Sequence, residues 1–258
     1  MTESENTQQQ TSFNVLVIGD SCIDEYKIGT VDRLSPEAPV PVVKIVESYS
    51  VAGMAANVTA NLKTLGIDPD FVTNDTQIIK TRYIDQRSGQ HLIRVDTEPD
   101  TPKWSGKAPY AIGDYDAVVI SDYNKGFLTY EDIEYIIKAA TGPVFIDTKK
   151  QDLDRFSSPW TYVKINETEY KNRTSIPTNL IVTKGREGSV YKDKLFPATE
   201  VEVVDVCGAG DTFLASLVYK YLNTNNIETA IEFANKASAI TVTRSGVYAP
   251  TLEEITRV

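Results

Sequence analysis

The chain has 258 residues, 41% of them hydrophobic, enough apolar material for a substantial core in one domain or two. Its net charge of −10 argues against binding a nucleic-acid backbone, which needs basic surface, but leaves room for small anions held by a few lysines or arginines. Two cysteines, Cys22 and Cys207, make no disulfide framework, and a single histidine, His91, allows no metal-ligand spacing; reduced thiols in a cytoplasmic protein are the expectation.

Residues 1–12, "MTESENTQQQTS", are polar and acidic and lack the apolar stretch of a signal peptide, so a disordered tail is expected there. Nothing in the chain approaches the roughly 20 apolar residues of a membrane helix, and no membrane partner is expected. "FNVLVIGD" (13–20) is an apolar run closed by Gly-Asp, which suits a buried parallel strand. Residues 26–50 are rich in proline and β-branched residues. "MAANVTANLKTLG" (54–66) spaces its apolar residues for a helix and ends on a capping glycine. Residues 78–96 alternate in polarity about Ser88-Gly89 and predict a hairpin. With 26–50 it is expected to form a small antiparallel sheet beside the main domain, or edge strands of the main sheet.

Further apolar runs follow at 116–122, 143–147, 161–166 and 179–185, several ending in Asp or Asn. Between them "TYEDIEYIIKAATG" (129–142) predicts a helix with Thr129 as its N-cap and acidic residues in its first turn. Two more helical patterns, starting at Asp211 and Ile227, close the chain. Strands alternating with helices predict an α/β fold around a mostly parallel sheet, in which ligands bind beyond the carboxyl ends of the strands.

"VVDVCGAGDTFLA" (203–215) opens a helix on Gly208-Ala209-Gly210. Glycine is a poor helix former, but it lets a backbone turn tightly against an anion, and the free N–H groups of a helix start attract negative charge. Asp211 would repel that anion. It fits either as a base, taking a proton from a substrate hydroxyl while the N–H groups hold charge on a transferred phosphoryl group, or as the helix N-cap. Neither a G-x-x-x-x-G-K-[ST] loop nor a G-x-G-x-x-G after the first strand occurs.

"DVCGAGDTF" resembles the signature of the ribokinase-like (PfkB) carbohydrate kinases, whose last Asp is the catalytic base. "SVAGMAANVTANLKTLG", "NETE", "VTKGREGSVY" and "FANKASAITVTRSGV" resemble other segments of that family in the same order. Within it, "DRLSPEAPVPVVKI", "IRVDTE", "SDYNKG" and "FIDTKK" are similar to the branch that phosphorylates D-glycero-β-D-manno-heptose 7-phosphate at its anomeric hydroxyl. Members of that branch often carry a fused nucleotidyltransferase domain, and the resemblance implies that this chain is expected to end where the kinase domain ends.

The resemblance implies a ribokinase-like kinase domain over 13–258, with helices on both sides of the sheet and lid segments at about 26–50 and 78–96. It implies ATP and Mg²⁺ as cofactors, a sugar phosphate as small-molecule partner, no nucleic acid, and a homodimer through the β lid. It implies Asp211 as base, with Gly208, Ala209 and Gly210 forming the catalytic turn. Asp24, Gly53 and Asn57 match the family's sugar contacts, and Asp and Asn suit polyol recognition. Asp122, Lys125, Asp147 and Lys149 stand at or just past strand ends on the substrate side, where a lysine is equally at home as a solvated surface residue, and Arg94 would reach the sugar phosphate or pair with a carboxylate across strands. Thr183, Lys184, Gly185, Gly188, Asn235 and Ala239 would border the nucleotide, with Gly208 and Gly210. Asn166 and Glu169 would face magnesium through water, or form a capping box; the two readings are compatible.

Three features depart from the family's pattern. Met54 stands where a second glycine is usual, so that its side chain crowds the sugar or displaces the backbone. Cys207 replaces a hydroxyl residue, and beside a helix start its thiol is either acidified or packed inert. After Gly66, "IDPDFVTNDTQ" leads almost at once to the second lid segment, so the edge of the sheet is expected to be trimmed.

Overall fold

The first apolar run folds as β1 (Val15–Gly19), buried throughout. Its side chains alternate between two cores: Val15 and Val17 join one apolar cluster, Leu16 and Ile18 the other. The strands that pair with it repeat this division, so the sheet is covered on both faces, as the uninterrupted apolar runs require. The computed structural model describes residues 12–258; all of the expected tail but Ser12 lies outside the described residues.

From β1 the chain enters a long hairpin, β2 (Ser21–Leu34) and β3 (Pro41–Met54), then α1 (Ala55–Thr64), β4 (Asp70–Thr73), β5 (Ile78–Asp85) and β6 (His91–Thr97). There follow β7 (Ala117–Asp122), α2 (Tyr130–Ala139), β8 (Val144–Thr148), β9 (Thr161–Asn166), α3 (Glu167–Asn172), β10 (Leu180–Thr183), β11 (Ser189–Tyr191) and β12 (Lys194–Phe196). Three helices, α4 (Ala209–Thr224), α5 (Ile227–Thr241) and α6 (Leu252–Thr256), end the chain. No helix among the described residues is long and apolar enough to cross a membrane.

The main sheet runs β12-β11-β10-β9-β8-β7-β1-β4, parallel from β4 to β10 with the β11–β12 hairpin antiparallel at one end. On one face Phe145 of β8 packs in a cluster with Val58, Phe213, Leu217 and Ile231, brought by α1, α4 and α5; the other carries Ile133 and Ile136 of α2. The α2 start is as expected: Thr129 accepts from the Asp132 amide while the Asp132 side chain accepts from the Thr129 amide, a capping box.

Lid residues form a second sheet, β3-β2-β5-β6. The antiparallel expectation needs correction, because β2 and β5 run parallel, joined through α1 and β4 rather than by a turn. The trimmed edge is present: the four-residue β4 is the one helix or strand between α1 and the second half of the lid, and it forms the border strand of the main sheet. On the lid's outer strands Ile45, Tyr49, Ile93 and Val95 are exposed. His91 is likewise exposed, at the start of β6.

Candidate active site

The parallel strands deliver their last residues to one edge, as open α/β sheets do. Asp122 ends β7, Asp147 lies near the end of β8, and Asn166 ends β9 and caps α3. Over them sits the start of α4. Gly208, at φ +75°, is its N-cap, a backbone that favours glycine, and Asp211 lies inside the first turn. The N-cap reading of Asp211 is therefore corrected: its carboxylate does not serve its own helix.

Asp211 is 4% exposed and held by two donors from distant elements. Asn57 Nδ2, in the first turn of α1, donates to Oδ2 at 2.9 Å, and the Tyr123 hydroxyl, just past β7, donates to Oδ1 at 2.9 Å. Burial pushes the Asp211 pKa up to about 6; the hydrogen bonds from Asn57 and Tyr123 pull it down, while nearby Asp147 pushes it up. Tyr123 itself is driven well above its ordinary range by burial and the adjacent carboxylates, so it remains a donor.

Two cavities meet at this turn. The smaller, about 210 Å³, is lined by Asp122, Tyr123, Asp147, Lys149, Lys164, Asn166, Glu169 and Asp211 together with Gly208, Gly210 and Val206. The larger, about 590 Å³, is lined by Thr183, Gly185, Gly188, Asn235 and Ala239, with Phe213, Val242 and neighbouring residues. Val206 and Gly210 belong to both. A long ligand bound in the larger cavity can thus reach Asp211 across the bare backbone of Gly210.

Several candidates meet in these walls, each with its own partner. Asn166 and Glu169 form a capping box: the Glu169 amide donates to Asn166 Oδ1 at 2.9 Å and the Asn166 amide to Glu169 Oε2 at 2.8 Å. Glu169 Oε1 takes Lys149 Nζ at 2.9 Å. Asp147 pairs with Lys164 at 2.6 Å, and Asp122 with Lys150 at 3.2 Å. Asn235 is tied to structure, accepting from Ser189 Oγ and donating to the Phe196 carbonyl. Ala209 borders the larger cavity.

Other candidates stand apart. Lys125 pairs with Glu98, Arg94 with Asp96 on its own strand, and Lys184 Nζ lies 3.9 Å from Glu187. Asp24 lies buried in the lid against Arg82, at 2.5 Å. Gly53 needs its bare backbone there, since a Cβ would come 2.3 Å from Asp24 Oδ2 and 2.6 Å from Cys22 Sγ. Met54 sits at φ 58° and ψ −132°, a conformation strained for any side chain, and packs inward on Cys22, Ile78 and Tyr123. The acidified reading of Cys207 is also corrected: burial and the Asp205 side chain push the thiol up to about 11.

Three residues of this region were not singled out from sequence: Tyr123, Lys164 and Arg82. Lys164 alone left a trace, a charge within the apolar run "TYVKIN".

A Cβ at Gly208 would come 2.9 Å from Asn57 Nδ2, the atom that holds Asp211. Gly208→Ala is therefore expected to cost about 1–2 kcal/mol of stability through its positive φ. Displacing Asn57 removes a donor that favours the ionised base, so the acid limb of the activity profile should move to higher pH. A thermal melt and a pH–rate series would read both effects, and an unmoved limb would count against the Asn57 contact.

The profile of pfkB family carbohydrate kinases matches residues 96–255, which include Asp211 and both cavities' strand-end residues. The chain belongs to this family. It is a sugar kinase. Among curated pfkB-type relatives, the Bifunctional protein HldE of a Nitratiruptor species is 31% identical over 296 aligned residues, covering 93% of this chain and 64% of that protein. The protein of the same name from Aliarcobacter butzleri is 32% identical over 304, covering 94% and 63%. The chain thus spans a little under two thirds of their length. Both alignments are longer than the 258-residue chain, so these relatives hold internal segments that it lacks, in keeping with the trimmed edge at β4. Among solved structures, a ribokinase from Thermotoga maritima superposes with a TM-score of 0.73 at 20% identity, covering 95% of this chain and 98% of that one. Phosphofructokinase-2 from Escherichia coli gives 0.72 at 13% identity, covering 96% and 97%. At those identities the likeness is one of fold, and the fold is ribokinase-like.

Proposed function

We propose that this kinase, in the cytoplasm, transfers the γ-phosphoryl group of ATP to the anomeric hydroxyl of D-glycero-D-manno-heptose 7-phosphate, giving the 1,7-bisphosphate. The observation that carries the reading is Asp211: a buried carboxylate aimed by Asn57 and Tyr123, at the joint between a cavity of nucleotide size and a smaller polar one. Asp211 takes the hydroxyl proton as the sugar oxygen attacks phosphorus in line. The bond to the β-phosphate oxygen breaks and ADP leaves. Backbone N–H groups at Gly208–Asp211 hold the charge that develops on the group in flight. The HldE relatives support the heptose reading.

Asn166 and Glu169 offer magnesium their side-chain oxygens, Asn166 Oδ1 and Glu169 Oε2 of which are engaged by the capping box, so they fit an ion that keeps its water rather than one bound directly. No group of three carboxylate, histidine or cysteine side chains able to hold a metal occurs among the described residues. When bound with the nucleotide, the ion supplies charge neutralisation on the triphosphate.

A second reading, a kinase of the same fold acting on another sugar, is favoured by Met54 and the short β4 edge. An ADP-release assay across heptose 7-phosphate, fructose phosphates, ribose and nucleosides separates the two, with the phosphorylated position read by NMR. The heptose phosphate is expected to give the highest kcat/KM, and a higher value for any other sugar would replace the assignment. The exposed apolar side chains on the lid's outer strands support a homodimer through that sheet.

A further inference from the structure

Lys164 stands inside β9, flanked by β8 and β10, with a side chain only 4% exposed. A buried ion pair stabilises a fold no better than apolar residues of similar volume. Stability alone therefore gives no reason for a lysine in the middle of an apolar strand.

Its position supplies one. Nζ donates to Asp147 Oδ2 at 2.6 Å and lies 3.3 Å from the Gly210 carbonyl oxygen. A Cβ on Gly210 would come 3.0 Å from the same nitrogen, so the ammonium rests against the bare backbone of the turn. Gly210 lines both cavities, and Lys164 is thus seated where the larger opens into the smaller. The wall there holds four carboxylates, Asp122, Asp147, Glu169 and Asp211, against two ammoniums. Lys149, the other, is half exposed and held by Glu169. For a phosphoryl group crossing this wall, the helix start and the two ammoniums are the attractive groups, and of these ammoniums only Lys164 is buried against the turn.

We propose that Lys164 is a catalytic residue of phosphoryl transfer, with an ammonium that Asp147 holds in place and that binds a terminal phosphate oxygen once the nucleotide spans Gly210. The inference rests on the kinase reading of the site but not on the identity of the sugar. No new bond is made to the lysine; it donates a charge-assisted hydrogen bond that persists while the phosphorus changes oxygen partners.

The test is calorimetric titration with two nucleotides, ADP and the non-hydrolysable analogue adenylyl imidodiphosphate. Lys164→Met leaves Asp147 buried without its partner, so Asp147→Asn/Lys164→Met is measured beside it. In both variants the triphosphate analogue is expected to bind about 10- to 100-fold more weakly, the value of a charge-assisted hydrogen bond, while ADP affinity changes by less than about threefold. Equal weakening of both nucleotides, or unchanged affinity for the analogue in the double variant, would overturn the proposal. Binding is read without an acceptor sugar, so the result stands even if heptose 7-phosphate proves to be the wrong substrate. A parent protein that binds neither nucleotide would overturn the kinase reading beneath it.

Discussion

Asp211→Asn is expected to lower kcat by about 10²- to 10⁴-fold, the contribution of a positioned general base, while nucleotide and sugar affinity stay within a few-fold. The amide keeps the size of the carboxylate and an acceptor for Asn57, so the site's shape survives. Steady-state kinetics with either substrate varied would check it; a loss confined to KM would assign Asp211 to binding. The parent enzyme should lose activity below about pH 6, where the buried carboxyl takes up its proton. In Tyr123→Phe that limb should move upward, because a donor to the ionised form is gone.

Asp211→Asn should also be more stable than the parent at neutral pH. Asp211 has a folded-state pKa of about 6, above its ordinary value of 3.8. Between those values the folded protein holds a proton that the unfolded chain releases, so stability falls as pH rises from 3.8 to 6 and stays lowered above. Removing the charge recovers at most about 3 kcal/mol at pH 7, a ceiling set by the size of the shift, and nothing below about pH 4. Urea unfolding at pH 7 and pH 4 would show whether the gain disappears as expected.

Arg82→Met carries the largest expected effect on stability. Its guanidinium meets Asp24 at 2.5 Å, with the two side chains only 10% and 9% exposed, and it lies 5.2 Å from the ring centre of Tyr26. Taking away one partner strands a buried charge, which costs about 3–5 kcal/mol. Asp24→Asn/Arg82→Met should recover much of that loss, because neither charge remains. Urea midpoints of the three proteins would decide, and a single variant as stable as the parent would show that the pair is not buried in solution. Since Asp24 is the proposed sugar contact, the single variant should also raise KM for the sugar more than for the nucleotide.

The alternation of apolar runs and helical periods carried the main sheet because both of its faces are buried, and uninterrupted runs such as "VLVIG" and "AVVIS" arise for that reason. Gly208-Ala209-Gly210-Asp211 was legible because a positive φ, a helix start and a carboxylate fall within four consecutive residues. The parallel pairing of β2 with β5 was not, since it joins strands separated by α1 and β4 and leaves no local pattern. Neither was Tyr123, whose hydroxyl reaches a residue 88 positions away. The same limit hid Arg82 behind an ordinary alternating strand. Lys125 and Arg94 pair with Glu98 and Asp96, partners that strand-end or lid position alone did not reveal.

Gly210 forms part of the floor of both cavities, so the occupant of one is a neighbour of the occupant of the other. Whatever factor a bound nucleotide applies to the affinity for the acceptor, the acceptor must return to the nucleotide, in either order of addition. A single residue without a side chain thereby makes the two binding equilibria into one linked system.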